Sequence, residues 1–231
     1  MAIAMTKGYS EQTAGAKLCI DLASDWGAEC ISDLNISENV FLMDYGAADG
    51  GTASEFWGKI INDIQEKNQS TEITLIGNDL YSNDNQALIN NLSIQSINNE
   101  VVKTFLCAGS FYDQLVPSEF IDFGFSATAM HWLNKKVENL NDHTHVLASS
   151  NQTARNDFLK QALFDWNQIL DIRSKELKIG GKLLTVNLSR DNENRYLGNN
   201  GGKTVNVHDE IHSIWKELLE EKLITEAEYQ K

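Results

Sequence analysis

Proline is almost absent, cysteine scarce and cationic charge in short supply. The 231 residues contain 1 Pro, 3 Cys and 19 Lys+Arg against 33 Asp+Glu, for a net charge of −14. So little proline, with 42% hydrophobic and 9% aromatic residues, excludes collagen-like structure and global disorder. The shortage of cations excludes phosphate-dominated binding of DNA or RNA, which needs a positive footprint, and docking on anionic membranes. No stretch approaches the ~20 apolar residues of a transmembrane helix. Met1 to Ser10 lacks the basic-then-apolar order of a secretory leader. Cys19, Cys30 and Cys107 are odd in number and widely spaced. They read as buried thiols rather than disulfides or a zinc set, and a reducing, cytoplasmic compartment is expected.

What is present alternates between short apolar runs and amphipathic stretches. Residues 10–34 carry Ala14, Leu18, Ile20, Leu22 and Trp26 at helical spacing. Strands are expected at 40–46, 72–79, 101–107, 120–126 and 182–188. Helices are expected at 53–68, 84–92, 151–178 and 207–223. Gly180-Gly181 is read as the stop of the long helix, and Ser189 to Thr204 as a mobile loop or linker. The implied fold is α/β, a Rossmann-like, mainly parallel sheet with flanking helices. Its ligands belong at the carboxyl ends of the strands.

Four strand-end segments could carry chemistry. Asp44-Tyr45-Gly46-Ala47-Ala48-Asp49-Gly50-Gly51 follows the first strand as D-x-G-x-x-x-G, without the second glycine of a dinucleotide fingerprint. It suits a ligand with no pyrophosphate, such as S-adenosylmethionine (SAM), whose ammonium and sulfonium need carboxylates and carbonyls; an ordinary βα turn is the competing reading. Asn78-Asp79-Leu80 follows the second strand, where an acid can accept from a ribose diol or simply cap a helix. Ala108 to Tyr112 offers Ser110 for an adenine edge and Phe111 for its face, or only a core aromatic. Ser126 to Leu133 offers His131 and Trp132 as a hydrogen-bonding group and an apolar wall for a small substrate, or a structural His. His143-x-His145 has no acid or Cys cluster to complete a metal set, so no metal is expected.

In order, these segments read DYGAADGGT (44–52), NDLYSNDN (78–85), GSFYDQLVP (109–117) and SATAMHWLN (126–134). They resemble the plant-type SABATH carboxyl methyltransferases, whose motifs run DLGCSSGPNT, NDLPGNDFN, GSFYxRLxP and SSYSLxWLS. The resemblance covers most of 8–188, and LLEEKLITEAEY (218–229) is similar to the helix before the family's cap. It implies a SAM-dependent methyltransferase acting on a small molecule, most naturally at a carboxylate oxygen. Carried over by position, Asp44, Gly46 and Thr52 line the methionine and ribose side, Asp79 and Leu80 hold ribose and adenine, and Ser110 and Phe111 hold adenine. Tyr9 and Thr13, in Tyr9-Ser10-Glu11-Gln12-Thr13, close over the cofactor. Ala127 and Thr128 face the sulfonium and substrate, and His131 and Trp132 clamp the acceptor.

The implied organisation is a helical lid at 1–35, a SAM-binding core at 36–190, and a loop and helix at 191–231 that begin a cap. Departures lie on the acceptor side. The family's carboxylate-binding Gln falls near Ala16, its fourth-motif Tyr is Thr128, and its glycine-loop Asn is Thr52. Family members also run well past this length into a helical cap, so a missing lid domain is an expectation, as is a homodimer. The alternatives are a non-catalytic SAM-binding partner protein and, less in keeping with the glycine spacing, an NAD-dependent oxidoreductase. If the acceptor were not a carboxylate, a base would be needed, and His131 is the candidate.

Overall fold

The computed structural model describes residues 5–97, 99–135, 137, 140, 142–146, 149–189, 192 and 207–229. Three short helices, α1 (Tyr9–Gln12), α2 (Ala14–Leu22) and α3 (Ser24–Ser32), lead into β1 (Asn39–Tyr45), α4 (Ser54–Lys67), β2 (Glu72–Asp79), α5 (Asn85–Ser93), β3 (Val102–Ala108) and β4 (Ile121–Ala127). Then come α6 (Gln152–Glu176), β5 (Leu177–Val186), α7 (Val207–Glu220) and α8 (Glu226–Tyr229). The strands form one sheet in the order β3-β2-β1-β4-β5, every pair parallel. Order reverses at β1, which has β2 on one side and β4 on the other, and that is where a doubly wound sheet opens its ligand crevice.

Both faces of the central strands are covered, which is why they read as near-continuous apolar runs. On β1, Val40 and Leu42 join Phe56, Trp57, Ile60 and Ile64 of α4 in one cluster. Met43 and Tyr45 point the other way, into a cluster with Tyr112, Met130 and Ile169 of α6. This is the two-residue period of a strand sandwiched between helices.

The chain divides into two compact units. The first comprises the residues through Trp132 together with Trp166–Asn187, and the second comprises Leu133–Asp165 with Leu188–Lys231, so the division falls inside α6. The first unit carries the sheet. In the second, Asp142 accepts from the hydroxyls of Ser149 and Ser150, both at 2.6 Å. There His145 stacks on His208 with ring centroids 3.6 Å apart, His143 stacks on His212 at 4.3 Å, and His143 Nε2 lies 3.3 Å from Asp209.

Three expectations need correction. The helical stretch 10–34 is broken twice. Thr13 leaves helical dihedrals (φ −121°, ψ 63°) and its hydroxyl donates to the Tyr9 carbonyl, a local bond that competes with helix continuation. The second break is a turn at fully buried Ala23.

The long helix is not stopped by Gly180-Gly181. It ends at Glu176, where the amides of Glu119 and Phe120 donate to the carbonyls of Lys175 and Glu176. Those last-turn acceptors are met from the chain entering β4, so no glycine cap is needed. Gly180 and Gly181 lie inside β5, at the irregularity where Ile121 pairs with Leu177 but Phe123 with Lys182. Gly180 takes φ +84°, and a Cβ on Gly181 would lie 2.9 Å from the Lys178 carbonyl oxygen. The third correction is that α7 ends at Glu220 and α8 follows separately. Of the loop expected at 189–204, residues 190–191 and 193–204 lie outside the described residues.

Candidate active site

Four strand ends meet around Gly46. The Gly46 and Ala47 amides both donate to the Asn78 carbonyl at 2.9 Å, which draws the turn after β1 onto the end of β2. Gly46 takes φ +72°. A Cβ there would stand 2.5 Å from Ala129 Cβ, after β4, and 3.7 Å from the Phe111 ring, after β3. Only glycine permits both that dihedral and that approach. Ala48 and Thr128 also have φ +51°. For a β-branched residue such as Thr128 this is a genuine outlier, of the kind that clusters at ligand sites.

Carboxylates supply the charge. Asp44 is 2% exposed and accepts from Trp57 Nε1 at 2.8 Å. Burial raises its pKa to about 7; the Trp57 bond opposes the rise and the Asp79 charge adds to it. Asp79 accepts from the amides of Ala48 and Leu80, both at 2.7 Å. Burial raises its pKa too, against those two bonds. Asp49 is the third: its Oδ2 accepts from both the amide and hydroxyl of Ser10 at 2.9 Å, and its Oδ1 from the Gly51 amide. That bond pair docks α1, which begins at Tyr9, on the glycine turn. Thr52 is buried at the end of the same turn.

The remaining residues line the later strand ends. Ser110 Oγ accepts from the Tyr112 amide, and the Gly109 amide donates to the Asp79 carbonyl. Ser126, just before Ala127, donates its hydroxyl to the Tyr45 carbonyl, and the Thr128 amide donates to Val186. His131 is half-buried; burial lowers its pKa, and its Nδ1 has no partner. Trp132 is held through its backbone, its carbonyl accepting from Tyr112 Oη at 2.7 Å while the residue is 59% exposed.

The structure therefore brings Asp44, Gly46, Thr52, Asp79, Leu80, Ser110, Phe111, Ala127, Thr128 and His131 to one rim of the sheet, with Tyr9 and Thr13 tethered nearby by Ser10. It leaves Trp132 exposed. Sequence reasoning missed Asp49, Asn78, Asn83 and Trp57 as organisers of this rim. Asn78 donates to the carbonyls of Cys107 and Gly109, and Asn83 to that of Ala48. Asp49 and Asn83 stand inside the quoted motifs, but nothing in their spacing assigns a partner far along the chain. Among the described residues, no group of three or more His, Cys, Asp and Glu is placed to hold a metal ion, and no helix is long and apolar enough to cross a membrane.

A parallel sheet with its crevice at β1, a glycine turn and acids on adjacent strand ends defines the class: a Rossmann-like domain for a nucleoside-bearing cofactor. The acids narrow it. Asp44, Asp49 and Asp79 around one turn would repel a pyrophosphate, whereas they suit a ligand with a ribose diol and cationic centres. Residues 6–231 match the SAM dependent carboxyl methyltransferase family, and the chain belongs to that family.

The chain is 30% identical over 208 residues to an S-adenosyl-L-methionine:benzoic acid/salicylic acid carboxyl methyltransferase of Petunia hybrida, covering 83% of this chain and 54% of that protein. It is 25% identical over 169 residues to the salicylate carboxymethyltransferase of Clarkia breweri, covering 69% of this chain and 47% of that one. It spans about half the length of these curated relatives. A solved loganic acid methyltransferase with SAH superposes with a TM-score of 0.81 at 19% identity, over 99% of this chain and 70% of that one, a likeness of fold.

Proposed function

We propose that this chain is the SAM-binding part of a methyltransferase that converts a small carboxylic acid to its methyl ester. The observation that carries the reading is the pairing of buried Asp44 with Asp79 on adjacent strand ends around a Gly46 turn that admits no Cβ. In this reading Asp44 faces the methionine ammonium and sulfonium, Gly46 and Thr52 line that side, and Asp79 accepts from the ribose diol. Leu80, Ser110 and Phe111 take the adenine, and Tyr9 and Thr13 close over it. Ala127 and Thr128 border the sulfonium, while His131 and Trp132 take the acceptor.

When bound, SAM supplies an electrophilic methyl group. The protein positions and desolvates the reactants, effects that together can be worth several kcal/mol. A carboxylate acceptor is already ionised at pH 7 and needs no general base. His131, whose pKa is lowered by burial, would border and orient that acceptor, and it moves no proton.

We read residues 1–35 as a lid, 36–190 as the cofactor core and 191–231 as the start of a cap, working as a homodimer in the cytoplasm without nucleic-acid or membrane partners. The net charge of −14 and three free cysteines support the last three points. A second reading, a cofactor-binding relative without turnover, draws on the exposure of Trp132 and on Thr128 at the acceptor side. Incubation with methyl-labelled SAM and a panel including benzoic and salicylic acids tests the proposal. Labelled methyl ester is expected; cofactor binding without ester from any acid would favour the second reading.

A further inference from the structure

A buried ion pair lies behind the site, in residues that no motif singled out. Arg173 and Glu176, near the end of α6, both have 0% exposure. Arg173 Nε stands 2.8 Å from Glu176 Oε2, and its Nη2 donates to Oε1 at 3.0 Å. Two isolated charges in such a place are costly, and the pair is sustained only if its remaining hydrogen-bonding capacity is met.

Apart from Arg173 Nε, whose approach to Oε2 is a charge contact without hydrogen-bond geometry, it is met largely by one loop. Arg173 Nη1 donates to the Phe111 carbonyl at 2.9 Å and Nη2 to the Asp113 carbonyl at 2.8 Å. Glu176 Oε1 accepts from the amides of Leu115 and Val116. From β1, Tyr45 donates its hydroxyl to Glu176 Oε2 at 2.8 Å, and the guanidinium lies 4.5 Å from the centre of the Tyr45 ring. One turn earlier on α6, Gln168 donates to the Tyr112 carbonyl.

We propose that the Arg173–Glu176 pair is a positioning device for the loop 109–116, acting on both sides of the site. The loop carries Ser110 and Phe111, the adenine residues, and through Tyr112 Oη it fixes the Trp132 carbonyl on the acceptor side. Arg173 and Glu176 are positioning residues and touch neither ligand. The inference rests on the functional reading given above for the ligands themselves. A charged pair gives this loop fixed acceptors and donors at four backbone groups, a geometric constraint that apolar packing does not supply.

The test uses Glu176→Gln, which keeps shape but turns an amide group toward donors that require an acceptor. S-adenosylhomocysteine (SAH) affinity is measured at low temperature on protein whose near-ultraviolet circular dichroism matches wild type. A tenfold or greater loss is expected, shrinking to under threefold in a Phe111→Ala background, because two residues acting through one contact are non-additive. Unchanged affinity beside a lowered Tm, or the same loss in both backgrounds, would overturn the proposal. Arg173→Lys, which retains the charge but not the two-pronged reach to Phe111 and Asp113, carries the same test where the first variant does not fold. Amide exchange separates this idea from the functional reading, since it needs no ligand. Faster exchange confined to 110–116 is expected in the variants, and uniform acceleration across the sheet would refute positioning. Failure of wild-type chain to bind SAH would sink the functional reading and leave the exchange result to decide the loop.

Discussion

Asp44→Asn should make the cofactor-free protein more stable and a poorer binder. The carboxyl is 2% exposed and receives one hydrogen bond, from Trp57. Its pKa is raised by burial from 3.8 to about 7, so the folded state favours the protonated form. The stability cost of ionising it is absent below about pH 4, accumulates as pH rises, and is complete above about pH 7. At roughly 1.4 kcal/mol per unit, three units give ~4 kcal/mol, an upper bound because a buried site relaxes. Asn is nearly isosteric, still accepts from Trp57, and carries no charge.

Scanning calorimetry of both proteins without cofactor at pH 5 and pH 8 reads the difference. At pH 5, just over one unit above the unfolded pKa of 3.8, the variant should melt higher by only roughly 2–3 °C. At pH 8 the variant should melt higher by roughly 4–8 °C, taking about half the upper bound and ~2–4 °C per kcal/mol for a chain of this size. SAM affinity at pH 8 should fall at least tenfold, because the charge that attracts a cationic ligand is gone. A variant offset that is the same at both pH values, or a lower Tm at pH 8, would refute the assignment of a strained buried carboxylate.

Asp79→Ala should weaken SAH binding by a hundredfold or more by calorimetric titration, since a diol loses hydrogen bonds to a charged group worth ~1.5–3 kcal/mol each; a loss under about tenfold, ~1.4 kcal/mol, would show that Asp79 only organises the Ala48 and Leu80 amides. His131→Ala should leave SAH affinity within about twofold and cut turnover, and loss of cofactor binding would place the ring in the cofactor pocket. The histidine pairs of the second unit should make that unit acid-sensitive. Burial and then the neighbouring His208 and His143 lower His145 to about 4, and burial and His143 lower His208 and His212, against Asp209 and, for His212, Asp142, with Lys216 adding to the lowering. Groups held below their unfolded pKa near 6.5 cost stability as pH falls from there toward 4. Protection factors along α7, which correct for the intrinsic slowing of amide exchange in acid, should therefore fall between pH 6.5 and 4, and constant protection would count against it.

The central strands were legible because both their faces are buried. Val40 to Met43 and Ile73 to Gly77 are apolar runs closed by Asp44 and Asp79, and the bounds of both strands fell within a residue or two of those observed. The strand-end motifs were legible for the same reason, since a doubly wound sheet gathers loops that follow its strands.

What stayed hidden depends on partners distant in sequence. Gly180-Gly181 looks like a helix stop until Glu119 and Phe120, more than fifty positions earlier, are seen to take the last carbonyls of α6. Asp49 reads as a turn residue until Ser10 arrives from the N-terminal segment. Arg173 and Glu176 look like an ordinary exposed i,i+3 pair on a polar helix. Only the loop from Phe111 to Val116 closing over them turns them into buried charges.

The central claim is that the acids around Gly46 hold SAM rather than a dinucleotide. Titration of the purified chain with SAH by calorimetry, with NAD in parallel, tests it most directly. Binding of SAH alone is expected, with a Kd on the order of micromolar, about −8 kcal/mol. Binding of NAD in preference, or of neither ligand by a chain that melts cooperatively, would contradict it.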